Sequence, residues 1–246
     1  MAVELHEENQ KRVSFQNKSW QQVQALAETS ADLDLKYSLT FASVGWHQGI
    51  IGIIASKAVE KWYKPTAVYS ISDSGVAKGS ARSINGIDIF AVFSEFKEIF
   101  EDFGGHDMAA GMSIKTDRIP QFEELFDAGV SKYVKSKKIQ PMIDIDVEVK
   151  PSDLNLKTIK EIVGMEPFGA SNSFPVFLCR DVKVTNKMIL KDKHLKLKLE
   201  NGIDAIGFNM VDMEKYAEGK IDIVFKPSIN EWNGIKQVQY IIVHID

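Results

Sequence analysis

The spacing of the apolar residues changes near the middle of the chain, and this change constrains the fold more than any other feature. Up to about residue 136, segments with apolar residues at helical spacing alternate with short β-branched segments, which predicts helices packed on a sheet. After the polar segment 135–141, short alternating segments dominate, which predicts strands. With a length of 246 residues, the chain is therefore predicted to form two domains.

The first half is predicted to form an α/β domain, a mixed sheet with flanking helices. A helix is expected over 87–103 because the pattern is amphipathic, and it is expected to end at Gly104 and Gly105 because glycine suits a helix C-terminus. Further helices are predicted over 5–28, 49–63 and 118–135, and strands over 36–43, 66–72, 75–84 and 109–115.

The second half is predicted to form a small all-β barrel with one helix. Asn233-Gly234 is the strongest short hairpin signal and lies between two alternating segments. Five or six short strands with a single helix, near residues 153–164, favour the oligonucleotide-binding (OB) fold. The predicted strands cover 142–149, 174–188, 193–200, 203–209, 220–230 and 235–246.

The composition excludes several classes of protein. Hydrophobic residues make up 44% of the chain and charged residues 26%, which is typical of a soluble globular protein. The N-terminus lacks a signal-peptide core, and no apolar run is long enough to span a bilayer, so no membrane partner is expected. Cys179 is the only cysteine. An intramolecular disulfide is therefore impossible, and a cytoplasmic location is expected.

Basic residues concentrate locally although the formal net charge is −4. Residues 180–198 carry seven basic side chains against two acidic ones, so a polyanion could bind there. Lys196 and Lys198 share one face of a predicted strand and could follow a nucleic-acid backbone, while Trp232 or Phe208 could stack on a base. A solvated outer face is the alternative explanation for the two lysines.

Two segments of the first half have residues suited to binding a phosphate. The helix predicted after Gly49 would present free N–H groups, with His47 in the preceding turn. Ser80 and Arg82 would lie on the same face of a strand, where a hydroxyl and a guanidinium can hold a terminal phosphate. A tight turn packed on the core and a solvated edge strand are the respective alternatives.

His106 lies between small residues in the segment EDFGGHDMAAGMSI, residues 101–114. Glycines and alanines leave room for a ligand close to the backbone, so His106 could be a general acid or base, a phosphate contact or a structural residue. A metal-binding role needs further ligands, and the scattered histidines show no ligand spacing. No metal or other cofactor is therefore predicted in this chain.

Three motifs, in their order and spacing, resemble the DHH-associated domain of the RecJ family, bacterial exonucleases specific for single-stranded DNA. They are GWHQGIIGIIASKAVEKWYKP, KGSARSINGIDI and DFGGHDMAAGMSI. The later segments EPFGASNSFPVF and INEWNGIKQVQYIIVHID resemble the OB domain of the same family. Gly-Gly-His alone would indicate only the wider DHH phosphoesterase superfamily. The resemblance implies that residues 1–33 end a linking helix, 34–137 form the DHH-associated domain and 138–246 form the OB domain.

The resemblance also implies a function and roles for particular residues. The chain is expected to be the substrate-binding C-terminal part of a 5′→3′ single-stranded-DNA exonuclease of recombination and repair. The loop of Gly104, Gly105 and His106 would contact the nucleic-acid backbone, with His106 on a phosphate near the scissile bond. Ser80 and Arg82 would hold the 5′-terminal phosphate.

The family's metal ligands, including its Asp-His-His motif, lie before the linking helix and are not found in this sequence. Mn²⁺ or Mg²⁺ is therefore expected in a DHH domain elsewhere in the same polypeptide, and this chain by itself is expected to be inactive. A non-catalytic nucleic-acid-binding scaffold is one alternative. The other is a DHH phosphodiesterase acting on cyclic dinucleotides or nano-RNA, against which the barrel after residue 140 argues.

Overall fold

The structure, a computed structural model, describes residues 2–136, 139–169 and 171–246, with side chains from residue 4 onward. It divides into two compact units, Met1–Pro141 and Met142–Asp246, called the first and second unit below. The domain boundary predicted between residues 137 and 138 lies outside the described residues.

The first unit is a five-stranded mixed sheet with helices on both faces, which confirms the predicted α/β class. Its strands are ordered β1-β2-β3-β5-β4; β1 and β2 are parallel and the other neighbours are antiparallel. The strands are β1 (Leu39–Val44), β2 (Thr66–Ile71), β3 (Val76–Arg82), β4 (Phe100–His106) and β5 (Ala109–Lys115). The helices are α1 (Ala2–Thr29), α2 (Gln48–Trp62), α3 (Ile89–Ser94) and α4 (Ile119–Ser136).

Helix α2 covers one face of the sheet over β2 and β3. It begins after His47, whose Nδ1 accepts a hydrogen bond of 3.0 Å from the Gly49 amide, so the imidazole caps the helix. Ile54 of α2 and Val68 of β2 are fully buried in a cluster that also includes Val23 of α1. Helix α2 therefore has a fixed start and a fixed position on the sheet.

An aromatic cluster fills the opposite face of the sheet, beneath α3 and α4. Phe93, Phe122 and Phe126 are fully buried, and Tyr69 of β2 meets the Phe122 ring edge-to-face at 5.2 Å. Gly79 of β3 lies under the Tyr69 ring, because a Cβ there would be 2.5 Å from a ring carbon. This face is closed by packing, which leaves the α2 face as the one that could be open.

The prediction of one helix over 87–103 is correct only over Ile89–Ser94 and wrong for the rest of the segment. Helix α3 ends at Ser94, a 3-10 turn covers Lys97–Ile99, and Phe100–His106 form β4. Gly104 and Gly105 pair with Gly111 and Ala110 of β5 instead of ending a helix. Pairing with β5 satisfies the backbone of this segment, and Phe100 still reaches Phe122 at 5.8 Å. Tertiary packing thus overrides the helical spacing of the phenylalanines.

The second unit is a closed β-barrel, which confirms the predicted OB class. The strand order is β10-β11-β9-β8-β7-β6, and a further pairing of β10 with β7 closes five of these strands into a barrel. The only α-helix among its described residues is α5 (Leu156–Val163). The strands are β6 (Val147–Glu148), β7 (Phe177–Leu190), β8 (His194–Leu199), β9 (Asp204–Gly207), β10 (Lys220–Trp232) and β11 (Ile235–Ile245).

Alternation along these strands fills the barrel with apolar side chains. Leu195 and Leu197 of β8 are fully buried, and Tyr240 of β11 stacks on Phe225 of β10 at 3.8 Å. Asn233 and Gly234 have φ values of 50° and 77°, as the predicted tight hairpin between β10 and β11 requires. The strand predicted over 142–149 shortens to the two residues of β6.

Candidate functional site

Helix α2 leaves its side of the first sheet uncovered beyond β3: Gly111 of β5 and Asp102, Gly104 and His106 of β4 are exposed, whereas Ser113 of β5 is buried. Residues that pair across antiparallel strands point to the same side, so the register fixes which side chains share this surface. We call it the open face. It consists of three rows of cross-strand neighbours, namely Arg82–Ala109–His106, Ser80–Gly111–Gly104 and Lys78–Ser113–Asp102.

On the open face, the middle strand β5 carries only small side chains. We call this strip the floor of the open face, and the neighbouring strands β3 and β4 form its two walls. Its outward residues are Ala109, Gly111 and Ser113. A Cβ added to Gly104 or Gly111 would meet no heavy atom of the described residues within 4 Å. Since adjacent strands are about 4.8 Å apart, the strands bearing Arg82 and His106 are separated by roughly 10 Å. Packing does not explain these glycines, whereas a ligand lying on the floor would.

Ser80 and Arg82 form one wall of the open face, where helix α2 comes close. The Arg82 Nη1 donates to Ser80 Oγ at 3.0 Å and to the Ala81 carbonyl at 2.9 Å. A Cβ on Gly52 would lie 3.0 Å from Arg82 Nη2 and 3.1 Å from Ser80 Oγ. A cleft of about 460 Å³ opens here, and the first turn of α2, Lys78 and Asp102 also line it. Its donors suit an anion.

His47 and His106 have different surroundings. The His47 ring is held as the cap of α2 and stacks against Phe15, with ring centroids 6.5 Å apart. His106 is exposed at the end of β4, and none of the side chains in the described part of the chain bonds to its ring. The structure therefore gives His47 a structural task and leaves the His106 imidazole available to a ligand.

The described residues bring together no set of donors for a divalent metal ion. Within residues 2–136, 139–169 and 171–246, no three His, Cys, Asp or Glu side chains come together in a group that could hold one. The described helices also include none that is long and apolar enough to cross a membrane.

In the second unit, the two lysines that were predicted to contact nucleic acid share an acidic partner that the sequence did not reveal. Lys196 and Lys198 lie on the outer side of β8, and their Nζ atoms are each 2.9 Å from an oxygen of Asp204. Burial raises the pKa of the Asp204 carboxyl, but the hydrogen bonds from Lys198 and Lys196 outweigh it and hold the pKa below its usual value. The lysines are thus already paired in the free protein.

Other basic residues of 180–198 are paired too. Arg180 contacts Glu148 at 3.1 Å and Asp222 at 2.7 Å, and Lys187 contacts two glutamates of the segment 214–218. The local excess of positive charge seen in the sequence is therefore largely neutralised by acids from other segments. Strand pairing brings Glu148 and Asp222 close to Arg180, whereas the acids that contact Lys187 lie in the 3-10 turn and loop before β10. All of them are distant in sequence from 180–198, so the local sequence does not reveal these contacts.

Trp232 lies at the tip of the β10–β11 hairpin and is 74% exposed. It pairs with Ile235, and alternation along β11 places this pair on the same side as Gln239, which neighbours Asp204. The exposed Phe208 follows β9 and touches the His194 ring edge-on at 5.4 Å. Lys196, Lys198 and the two aromatic residues are therefore on the outer surface of one barrel.

Comparison with protein families assigns both units. The DHHA1 domain family matches residues 35–132, and the RecJ OB domain family matches residues 145–244. The chain joins a DHHA1 domain to a RecJ OB domain. The predicted resemblance to RecJ is thereby confirmed, and the α/β unit is called the DHHA1 domain and the barrel the OB domain from here on.

Relatives match along the whole chain but are much longer. The single-stranded-DNA-specific exonuclease RecJ of Bacillus subtilis is 31% identical over 98% of this chain, which covers 32% of that relative. RecJ of Haemophilus influenzae is 30% identical over 87% of this chain, which covers 39% of it. The crystal structure of RecJ in complex with Mg²⁺ from Thermus thermophilus superposes with a TM-score of 0.82 at 22% identity, over 99% of this chain and 37% of that one. The chain thus spans about a third of its relatives' length and shares their fold.

The open face of the DHHA1 domain brings together four of the six residues singled out in the first half of the sequence. Ser80, Arg82, Gly104 and His106 share it, whereas Gly105 packs against the β5 backbone, where a Cβ would be 2.3 Å from the Ala109 carbonyl oxygen. Five further residues complete the open face and were not singled out individually, namely Lys78, Asp102, Ala109, Gly111 and Ser113. Period-two alternation from Ser80 and from His106 could have indicated Lys78 and Asp102.

Proposed function

We propose that this chain is the substrate-binding C-terminal part of a 5′→3′ exonuclease that degrades single-stranded DNA in recombination and repair. The curated relatives carry the name single-stranded-DNA-specific exonuclease. The metal-bearing DHH domain would be another part of the same cytoplasmic polypeptide, and Mn²⁺ or Mg²⁺ would bind there. The crystal structures of Thermus thermophilus RecJ in complex with Mg²⁺ and with Mn²⁺ support the choice of these two metals.

The open face of the DHHA1 domain is the observation that carries the proposal. Its floor has no side chain larger than Ser113, so a sugar–phosphate backbone can lie directly on the strand. Arg82 and Ser80 stand on one side of this floor and His106 on the other. A nucleic-acid strand would therefore meet hydrogen-bond donors at two successive places along the face.

We assign the 5′-terminal phosphate to Ser80 and Arg82. A terminal phosphate carries more negative charge near neutral pH than a phosphodiester, about −1.5 to −2, and a guanidinium can bind it through two parallel hydrogen bonds. The first turn of α2 lines the same cleft and adds the positive end of a helix dipole. Gly104 and His106 would form the opposite wall, held in place by the packing of Gly105 on β5, and in the longer protein His106 would contact the reacting phosphate. His47 caps α2 through its Nδ1, and its exposed ring would contact the substrate beside the first turn of the helix.

The OB domain would hold the strand beyond this cleft. Lys196 and Lys198 would contact its phosphates, and Trp232 would stack on a base, a contact worth about 1–3 kcal/mol in other single-strand-binding proteins. The exposure of Trp232 supports this role, because a large aromatic side chain at a hairpin tip has no packing task in the free domain.

Fluorescence anisotropy with 5′-phosphorylated and 5′-hydroxyl oligothymidylates tests the proposal. The wild-type chain should prefer the phosphorylated end by about tenfold, the value of one charge-assisted contact. Arg82→Ala should lose this preference but keep the weaker binding to 5′-hydroxyl DNA. Arg118→Ala is the matched control, since Arg118 bonds only to the Glu98 carbonyl and lies off the open face.

Two outcomes would contradict the proposal. If the wild-type chain binds 5′-phosphorylated and 5′-hydroxyl DNA with equal affinity, the assignment of a 5′-phosphate pocket is wrong. If it binds no oligonucleotide, the proposed function is wrong. With Mg²⁺ or Mn²⁺ added, the oligonucleotides should stay intact, because this chain offers no metal site among its described residues.

A further inference from the structure

Asp204 of the OB domain holds two lysines at once. Its Oδ2 is 2.9 Å from Lys196 Nζ and its Oδ1 is 2.9 Å from Lys198 Nζ, so each carboxylate oxygen has its own ammonium group. The Asp204 side chain is 23% exposed, and those of the lysines are 36% and 45% exposed. The cluster is therefore reachable from solvent.

This cluster differs from the other ion pairs in its balance of charge. Lys36, Arg180 and Lys187 each face two acidic side chains. Among the described residues of the OB domain, Asp204 is the only acid that pairs with two basic side chains. One positive charge at this point of the barrel surface is therefore left uncompensated. Such an excess attracts an anion, while the exposed pairs themselves add little to folding stability.

We propose that Asp204 occupies the place of a nucleic-acid phosphate and competes with it for Lys196 and Lys198. The inference rests on the proposed function of the OB domain. A phosphodiester, like a carboxylate, carries one negative charge shared by two oxygens, so it can take over both ammonium groups in the same arrangement. Asp204 thereby weakens the hold of the OB domain on a bound strand.

The strand register explains why the competition cannot be avoided. Asp204 of β9 lies directly opposite Lys198 of β8, and its neighbour on the other side is Gln239 of β11. Asp204 is thus held within the sheet on both sides. Its carboxylate stays within a few ångströms of any phosphate that binds the lysines, and it repels that phosphate.

Removing the charge of Asp204 should strengthen binding. We expect Asp204→Asn to bind a fluorescein-labelled oligothymidylate roughly fivefold more tightly at low salt, as the loss of one repulsion at about 4 Å in water predicts. The log–log dependence of affinity on salt should steepen by about 0.7 for each lysine freed. The double substitution Lys196→Ala, Lys198→Ala should reduce affinity more in the Asp204→Asn background than in the wild-type chain.

Glu231→Gln is the matched control. It changes the net charge by the same amount and frees Lys236, which Glu231 holds at 3.2 Å, but on the face of the hairpin opposite to Trp232. This variant should bind like the wild-type chain. Asp204→Ser gives the same test should Asp204→Asn not fold, as judged by circular dichroism.

The possible results separate this inference from the proposed function. If the wild-type chain binds the oligonucleotide and Asp204→Asn binds it with the same affinity, the proposed competition is overturned but the proposed function is not. An equal gain in Glu231→Gln would also overturn it, because net charge would then explain the effect. No binding by any variant would overturn both the inference and the proposed function.

Discussion

Gly52 allows helix α2 to approach the Ser80–Arg82 pair closely, since a hydrogen stands here in place of a side chain. A Cβ would lie 3.0 Å from Arg82 Nη2 and 3.1 Å from Ser80 Oγ. In Gly52→Ala the two side chains must shift by a few tenths of an ångström, whereas the helix gains up to about 1 kcal/mol in intrinsic propensity. We expect the unfolding temperature to stay constant or rise while the preference for a 5′-phosphate falls. Thermal melts and anisotropy titrations of the same samples measure both.

The Gly52→Ala prediction has an internal control in the double variant with Arg82→Ala. If Gly52 acts through the guanidinium, adding Gly52→Ala to Arg82→Ala should change little, because coupled residues are not additive. A folded Gly52→Ala protein with its full end preference would show that this contact has no part in binding.

At the scale of residues, alternation along a strand was enough to predict that Ser80 and Arg82 share a face. It could not predict that Gly52 touches them, because this contact joins a helix to a strand and depends on how α2 lies on the sheet. The same limit applies to Lys196 and Lys198. Their common face followed from the sequence, but Asp204, on another strand, did not.

At the scale of elements, strand β4 differs most from the prediction made from sequence. The phenylalanines from Phe90 to Phe103 have helical spacing, but Phe93 and Phe100 both reach Phe122 with the chain extended between Phe100 and His106. A local pattern could not reveal the neighbouring strand β5, which satisfies the backbone of this segment. The other helices and strands of the DHHA1 domain were predictable because caps and turns bound them locally.

The two glycines of β4 should respond in opposite ways to the same substitution. In Gly105→Ala the Cβ would be 2.3 Å from the Ala109 carbonyl oxygen and 2.6 Å from the Ala110 Cα, so we expect a loss of about 3 kcal/mol in unfolding free energy. In Gly104→Ala nothing described lies within 4 Å, and we expect a gain of about 0.5–1 kcal/mol, because glycine in a strand loses more conformational freedom on folding than alanine. Chemical denaturation measures both. Equal losses would mean that β4 does not pair with β5 as described.

At the scale of the whole molecule, we expect the DHHA1 and OB domains to unfold independently, because each has its own hydrophobic core. Trp20, Trp46 and Trp62 report on the DHHA1 domain. Cys179, buried in the barrel with its pKa raised to about 11 mainly by desolvation, reports on the OB domain. Tryptophan fluorescence and thiol labelling across a denaturant series should give different midpoints. Coincident midpoints that persist in a variant with a destabilised barrel, such as Leu197→Ala, would contradict independence.

Selection for thermal stability would change the floor of the open face in the DHHA1 domain. Gly104 and Gly111 lie in strands, where glycine costs about 0.5–1 kcal/mol relative to alanine, and a new side chain would meet no obstacle there. A selection for heat resistance alone would therefore favour larger residues at both positions. The selected proteins would be well folded and more stable, but larger side chains would occupy the floor of the open face. A screen without DNA would not detect that DNA binding had been lost.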